Sequence, residues 1–224
     1  CGTHAGARPR GRMIDLHTYL MFIGAAFILV IAPGPDMAYM LARTVAQGRT
    51  AGFLAAAGIN TGAYVHVLAS AVGLSAVLAA SSAAFTILKW AGACYLVWIG
   101  YRALTSKGSA LKVEGGTSDT LRRSAIFWQG FWSDVLNPKV AIFFLAFLPQ
   151  FVDVTNQAFG VTKQLLLLGV TCNVVAICTN LVLVCFASAM TRRLRQSRRL
   201  VTWMQKAMGA VFVALGIRLA SQRL

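Results

Sequence analysis

The residues of this chain that could do chemistry lie where long apolar stretches are interrupted. Pro33-Gly34-Pro35-Asp36 breaks the first stretch, and Asn137-Pro138-Lys139 breaks the fourth, with Asp134 three residues ahead of it. Proline lacks an N–H and clashes with the preceding turn, so neither segment can continue a helix without releasing backbone polar groups. In hydrocarbon such groups persist only where they are buried in protein or line a watery cavity. A single proline reads as a simple kink. Two prolines around a glycine, matched by Asn137-Pro138 in the second half, read as a pair of broken helices. Charges beside the breaks are costly in lipid and therefore face a cavity or a partner. Asp36 either caps the half-helix that starts at the break or contacts a bound solute, and the roles are compatible. Asp134 reads as an interfacial anchor of the aromatic segment Phe127-Trp128-Gln129-Gly130-Phe131-Trp132-Ser133, or as a group that takes up a proton. Lys139 either snorkels to the headgroups or stays at the break.

The second stretch adds Gly58-Ile59-Asn60-Thr61-Gly62 and, one turn on, His66. Gly58 and Gly62 form a small-x-x-x-small face suited to close helix packing. Asn60, and Asn173 in the fifth stretch, either line a central cavity or bond to a neighbouring helix. His66 has the same pair of readings, an interhelical hydrogen bond or a proton acceptor during function. Three histidines without a nucleophile–base arrangement argue against an enzyme. Of five cysteines none forms a C-x-x-C pair, and Cys94, Cys172, Cys178 and Cys185 are expected to be small buried hydrophobes. Neither a metal nor a cofactor is expected.

The elements that must position these residues follow from composition. Of 224 residues 58% are hydrophobic and 12% charged, about half the charged share of a soluble domain at roughly 25%. Twenty-one Lys and Arg against six Asp and Glu would suggest a nucleic-acid partner in a soluble protein. Here the bases fall between apolar blocks of about 20 residues, the length that crosses a bilayer, which points to an all-α polytopic membrane protein and away from nucleic acid. Six spans are expected: about Ile14 to Leu41, Ala51 to Leu78, Phe85 to Leu104, Ser124 to Phe151, Gln164 to Met190 and Val201 to Ala220. Residues 1–12 read as an N-terminal extension outside the fold, 13–104 as one membrane repeat, 105–123 as a cytoplasmic linker and 124–224 as a second repeat. Spans three and six share K-x-x-G-A, an apolar stretch and G-x-R, from Lys89 to Arg102 and from Lys206 to Arg218. Three spans per repeat insert the second copy upside down, and inverted repeats mark secondary transporters, whose solute site lies between the repeats. Arg43 and Arg49, the linker bases, and the cluster from Arg192 to Lys206 share one face. By the positive-inside rule that face is cytoplasmic and both termini are outside.

Ala32-Pro33-Gly34-Pro35-Asp36, followed by Gly48-Arg49-Thr50-Ala51-Gly52, Gly58-Ile59 and Gly73-Leu74, closely resembles the LysE/RhtB family of amino-acid exporters. Asn137-Pro138-Lys139-Val140-Ala141-Ile142-Phe143-Phe144, leading to Phe147-Leu148-Pro149-Gln150-Phe151, resembles its second signature. The resemblance covers Met13 to about Ala220. It implies a secondary transporter of the bacterial inner membrane that moves small amino acids or derivatives out of the cytoplasm, driven by the proton-motive force; a homo-oligomer is compatible with it. Members that export lysine and arginine tend to carry carboxylates in span two and after the Asn-Pro break. Here Ile59-Asn60-Thr61 and Ile142-Phe143-Phe144 hold none, which favours a neutral substrate of the RhtB type: homoserine, its lactone, threonine or leucine.

The expected substrate site is Pro33, Gly34, Pro35, Asp36, Asn60, Asn137, Pro138 and Lys139. Half-helix N-termini face the substrate carboxylate, Asp36 and freed carbonyls face its ammonium, and Asn60 shapes the side-chain pocket. Asp36, His66 and Asp134 are the candidates for proton coupling. The competing readings are an exporter of basic amino acids or cations and a membrane module without transport activity.

Overall fold

Prolines, one glycine and two side-chain caps set the ends of the helices around the two breaks. The computed structural model describes residues 14–31, 34–76, 82–105, 121–154, 156 and 159–189, with single positions between 202 and 220. Asp15 Oδ2 accepts from the His17 and Thr18 N–H groups and opens α1, Leu16–Ile31. Pro35 sits at the first position of α2, Pro35–Gln47, where its missing N–H costs nothing. Gly48, at φ 86°, turns the chain directly into α3, Arg49–Ala69, which continues through a π-turn at Ser70–Leu74. Ser82–Thr105 is α4 and Arg123–Val135 is α5. Asn137 then caps α6, Pro138–Ile142, with its side-chain oxygen on the Lys139 N–H. This helix runs on through a π-turn, Phe143–Phe147, and a 3-10 turn, Leu148–Phe151. Among the described residues, the last continuous element is α7, Val161–Ala189.

Both breaks fall where the prolines require them. The axes of α1 and α2 meet at 56°, and those of α5 and the segment from Pro138 to Phe151 at 44°. Among the described residues, α3 with its π-turn and α7 are each long and apolar enough to cross a membrane, and the number rises to four if each bent pair is one span. The third expected span coincides with the continuous helix α4, which is not among those candidate spans. The sixth falls on residues 201–220, of which single positions are described, while residues 1–12, most of the central linker and the Arg-rich segment before span six lie outside the described residues.

Helices α3 and α5 touch backbone to backbone. A Cβ on Gly58 would collide with the Phe127 carbonyl oxygen, one on Gly62 would lie 2.7 Å from the Phe131 carbonyl oxygen, and one on Gly130 2.6 Å from that of Ala55. The glycine face read from the sequence is therefore a packing face, and its partner is the first half of the second broken helix. Helix α7 packs in turn on α1, the first half of the first broken helix, and on α3. A second close approach pairs Gly100 of α4 with the Gly209 oxygen, and Gly216 with Ala93 and Val97, so these stretches run antiparallel.

Among the described residues the interior holds two apolar clusters. One gathers Phe22, Leu29, Phe143, Phe147, Leu165 and Leu168; the other gathers Met40, Ala55, Ile59, Ile126 and Val184. Only Cys172 of the four apolar-run cysteines is buried, while Cys94 and Cys178 are exposed and Cys185 is intermediate. The expectation of four buried thiols fails because a membrane helix is apolar on its lipid face too, so apolar neighbours in sequence do not report burial.

Substituting Gly58→Val should force α3 and α5 apart and cost about 1–3 kcal/mol or more, whereas Gly24→Ala, where a Cβ has nothing within 4 Å, should be neutral. Melting of the two detergent-purified variants checks this; equal melting points would refute the packing role.

Candidate functional site

Pro33 and Pro138 each lack the N–H that would have bonded the carbonyl four residues earlier, and in both halves a side chain of the other half bonds that carbonyl. Pro33 cannot serve Leu29, whose carbonyl oxygen accepts from Lys139 Nζ at 3.3 Å. Pro138 cannot serve Asp134, whose carbonyl oxygen accepts from the Asn137 N–H at 2.9 Å and lies 3.1 Å from His66 Nε2. A carbonyl only accepts, so Nε2 carries the proton of that bond. The His66 ring stacks against Phe144 at 5.9 Å.

The breaks are also joined directly. Asp36 Oδ2 accepts from Asn137 Nδ2, and Asp36 Oδ1 accepts from Ser133 Oγ at 2.9 Å. Asp36 stands at the second position of α2 without making a side-chain cap there, so its carboxylate is spent on the opposite half rather than on its own helix end. Asn137 works twice, its oxygen capping α6 and its nitrogen holding Asp36.

Two expectations are corrected. Asp134 is 3% exposed and packs beside His66, its Oδ2 3.9 Å from Nε2, so it is no interfacial anchor; Gly62 lets α3 close over it. Lys139 turns inward to the Leu29 carbonyl and does not snorkel, because that freed acceptor lies within reach.

A cavity lies between the two apolar clusters, with about 60 Å3 open to the centre of a water molecule, room for a few waters. Asp36, Asp134 and Lys139 supply its charge; Asn60, Asn173 and Asn180 supply amides; Leu29, Met37, Ile59, Val140 and Phe144 supply apolar wall. The asparagines form a chain, with Asn173 Nδ2 on the Asn60 carbonyl oxygen at 3.1 Å and Asn180 Nδ2 on Asn60 Oδ1 at 3.2 Å. Cavity lining and interhelical bonding, separate readings in the sequence, are the same residues here. Gly34, Pro35, Asn137 and Pro138 do not line the cavity; they shape the breaks, and Pro33 lies outside the described residues. His66 reaches the site through Asp134 rather than as a wall.

Comparison with known proteins is decisive about descent. The family described as LysE type translocator matches residues 27–223. The chain belongs to the LysE family. A leucine efflux protein of Salmonella choleraesuis is 30% identical over 213 residues, covering 93% of this chain and 96% of its own. A leucine efflux protein of Klebsiella pneumoniae is 29% identical, covering 91% and 94%. An uncharacterized membrane protein of Vibrio cholerae is 28% identical, covering 94% and 100%. No solved structure matches the chain at a significant level. The LysE match takes in both breaks and every described residue of the cavity wall.

Sequence reasoning missed Asn180 and Ser133. Asn180 lies two turns after Asn173 on one face of α7, a spacing of seven that an apolar helix makes visible. Ser133 was absorbed into the aromatic segment before Asp134.

His66→Leu should strip the Asp134 carbonyl of its second donor and destabilise by about 1–3 kcal/mol. In a Pro138→Ala background, which restores the missing N–H, the same change should cost clearly less. A double-mutant melting cycle measures this coupling, and strict additivity would remove the compensation described for Pro138.

Proposed function

We propose that this protein is an inner-membrane exporter of amino acids with neutral, apolar side chains, leucine among them, coupled to the proton gradient. The observation that carries the reading is the cavity at the joined breaks. It combines two carboxylates, one ammonium and three amides on one hand with a wall of Leu29, Ile59, Val140 and Phe144 on the other. That is the division of labour an α-amino acid with an apolar side chain requires, a polar end for its zwitterion and an apolar one for its side chain. The relatives named as leucine efflux proteins favour the same substrate.

On this reading six spans form two inverted three-helix repeats with broken first helices. The reciprocal packing of α3 on α5 and of α7 on α1 supports it, as does the antiparallel approach of Gly100 to Gly209. Sidedness is supported by the described bases. Arg43 bonds Gln47, which bonds the Leu121 carbonyl beside Arg122, and Arg49 bonds Ser188 at the end of α7. These ends share one face, proposed as cytoplasmic, with both termini on the other. Rocking of one repeat against the other alternates access to the cavity. Asp36, Asp134 and His66 are the groups through which a proton is exchanged for the solute, and Lys139 is the cation that faces the substrate carboxylate.

Proteoliposomes loaded with labelled leucine should release it faster when the outside is acidified, while lysine-loaded vesicles should not respond. Asp36→Asn should lower leucine flux at least about tenfold, since bonds to a charged group are worth roughly 1.5–3 kcal/mol. Equal lysine and leucine flux, or flux indifferent to the gradient, would sink the neutral, proton-coupled reading.

A further inference from the structure

We infer that the cavity has a primary-ammonium subsite built from Asp134 Oδ2 and Asn173 Oδ1, separate from Asp36. The inference rests on the export reading and assigns the place of the substrate's amine within that site. Among the described residues, these two are the buried side-chain oxygens that no donor reaches. Both belong to cavity-lining residues, from α5 and α7, that are 3% and 1% exposed. A buried acceptor without a donor is costly to keep, and such a group in a native site points to the ligand that completes it.

Neighbouring bonds fix which atoms are left over. Asn173 Nδ2 faces the Asn60 carbonyl oxygen, an obligate acceptor, so the amide cannot be reversed and its oxygen is the free end. Asn60 is held in its turn by Asn180. His66 Nε2 is engaged by the Asp134 backbone oxygen at 3.1 Å and stands 3.9 Å from Oδ2, beyond hydrogen-bond reach. By contrast each oxygen of Asp36 already holds a donor, Ser133 or Asn137.

Two acceptors on different helices of one cavity wall, one of them a carboxylate, call for a ligand with several N–H donors and a positive charge. A primary ammonium has three donors and no acceptor. A hydroxyl has one donor, and a carboxylate or phosphate would meet oxygen with oxygen. The subsite therefore demands the α-ammonium that all amino acids share, and leaves side-chain choice to the apolar wall.

The test measures binding by the shift in melting temperature of the purified full chain with leucinol, which keeps the amine and side chain of leucine without its carboxylate. 4-Methylpentanoate, which keeps the carboxylate without the amine, is the comparison. Leucinol should raise the melting temperature of the wild type. Asp134→Asn and Asn173→Ala should each raise the half-saturating leucinol concentration at least about tenfold, with the response to 4-methylpentanoate unchanged. If one variant does not fold, the other carries the comparison. No leucinol shift in the wild type, or an unchanged half-saturation in a folded variant, overturns the subsite. A leucinol shift lost in the variants without any leucine flux in vesicles supports the subsite and rejects the export reading; flux with no leucinol shift does the reverse.

Discussion

A backbone carbonyl released at membrane depth has no water to turn to, and the structure around the cavity depends on how two such carbonyls are satisfied. Pro33 and Pro138 deprive Leu29 and Asp134 of their helical donors. The replacements come crosswise, Lys139 from the second half to Leu29 and His66 from the first half to Asp134. Neither half satisfies its own break with these side chains. Breaking the helices thus also supplies ties between the halves, and the positions of Lys139 and His66 follow from the carbonyls they reach.

The same logic accounts for the density of polar groups between two apolar clusters. Asp36 is held by Ser133 and Asn137, Asn60 by Asn173 and Asn180, each pair bridging different helices. Relative motion of the halves has to exchange these bonds for others. Each is worth about a kilocalorie net, and more where a charge takes part, so a solute or proton that substitutes for one of them changes the balance between arrangements by a comparable amount. A solute bound in the cavity would need no remote device to bias such movement, because Asp36, Asn60, Lys139, Asn173 and Asn180 are at once ties between the halves and cavity wall.

Much of this was legible in the sequence because proline's effect on a helix is local and absolute. The two breaks, the helices on either side of them and the Gly58–Gly62 face follow from residue type and spacing, and α2 and α6 begin at Pro35 and Pro138. What a side chain does across the fold was not legible. Lys139 looked free to reach the headgroups because the carbonyl it serves lies 110 residues earlier. Asp134 looked interfacial because its neighbours in sequence are aromatic, although its neighbours in space are His66 and the Gly62 backbone. Cysteine burial failed for a related reason, since an apolar run in lipid has no outward polar face to set the inward one apart.

Glycine carries the complementary part of the architecture. Where Gly58, Gly62 and Gly130 bring α3 and α5 into backbone contact, Asp134 is pressed between the helices with its Oδ2 buried. Bulkier residues there would hold α5 away and let water reach the carboxylate, which would then have donors enough without a ligand. Close packing on one side of the break and released backbone on the other are thus two halves of one requirement: a carboxylate at membrane depth stays short of donors only if its helix is held tightly against a neighbour, and it is that shortage which gives a cavity an appetite for a cation.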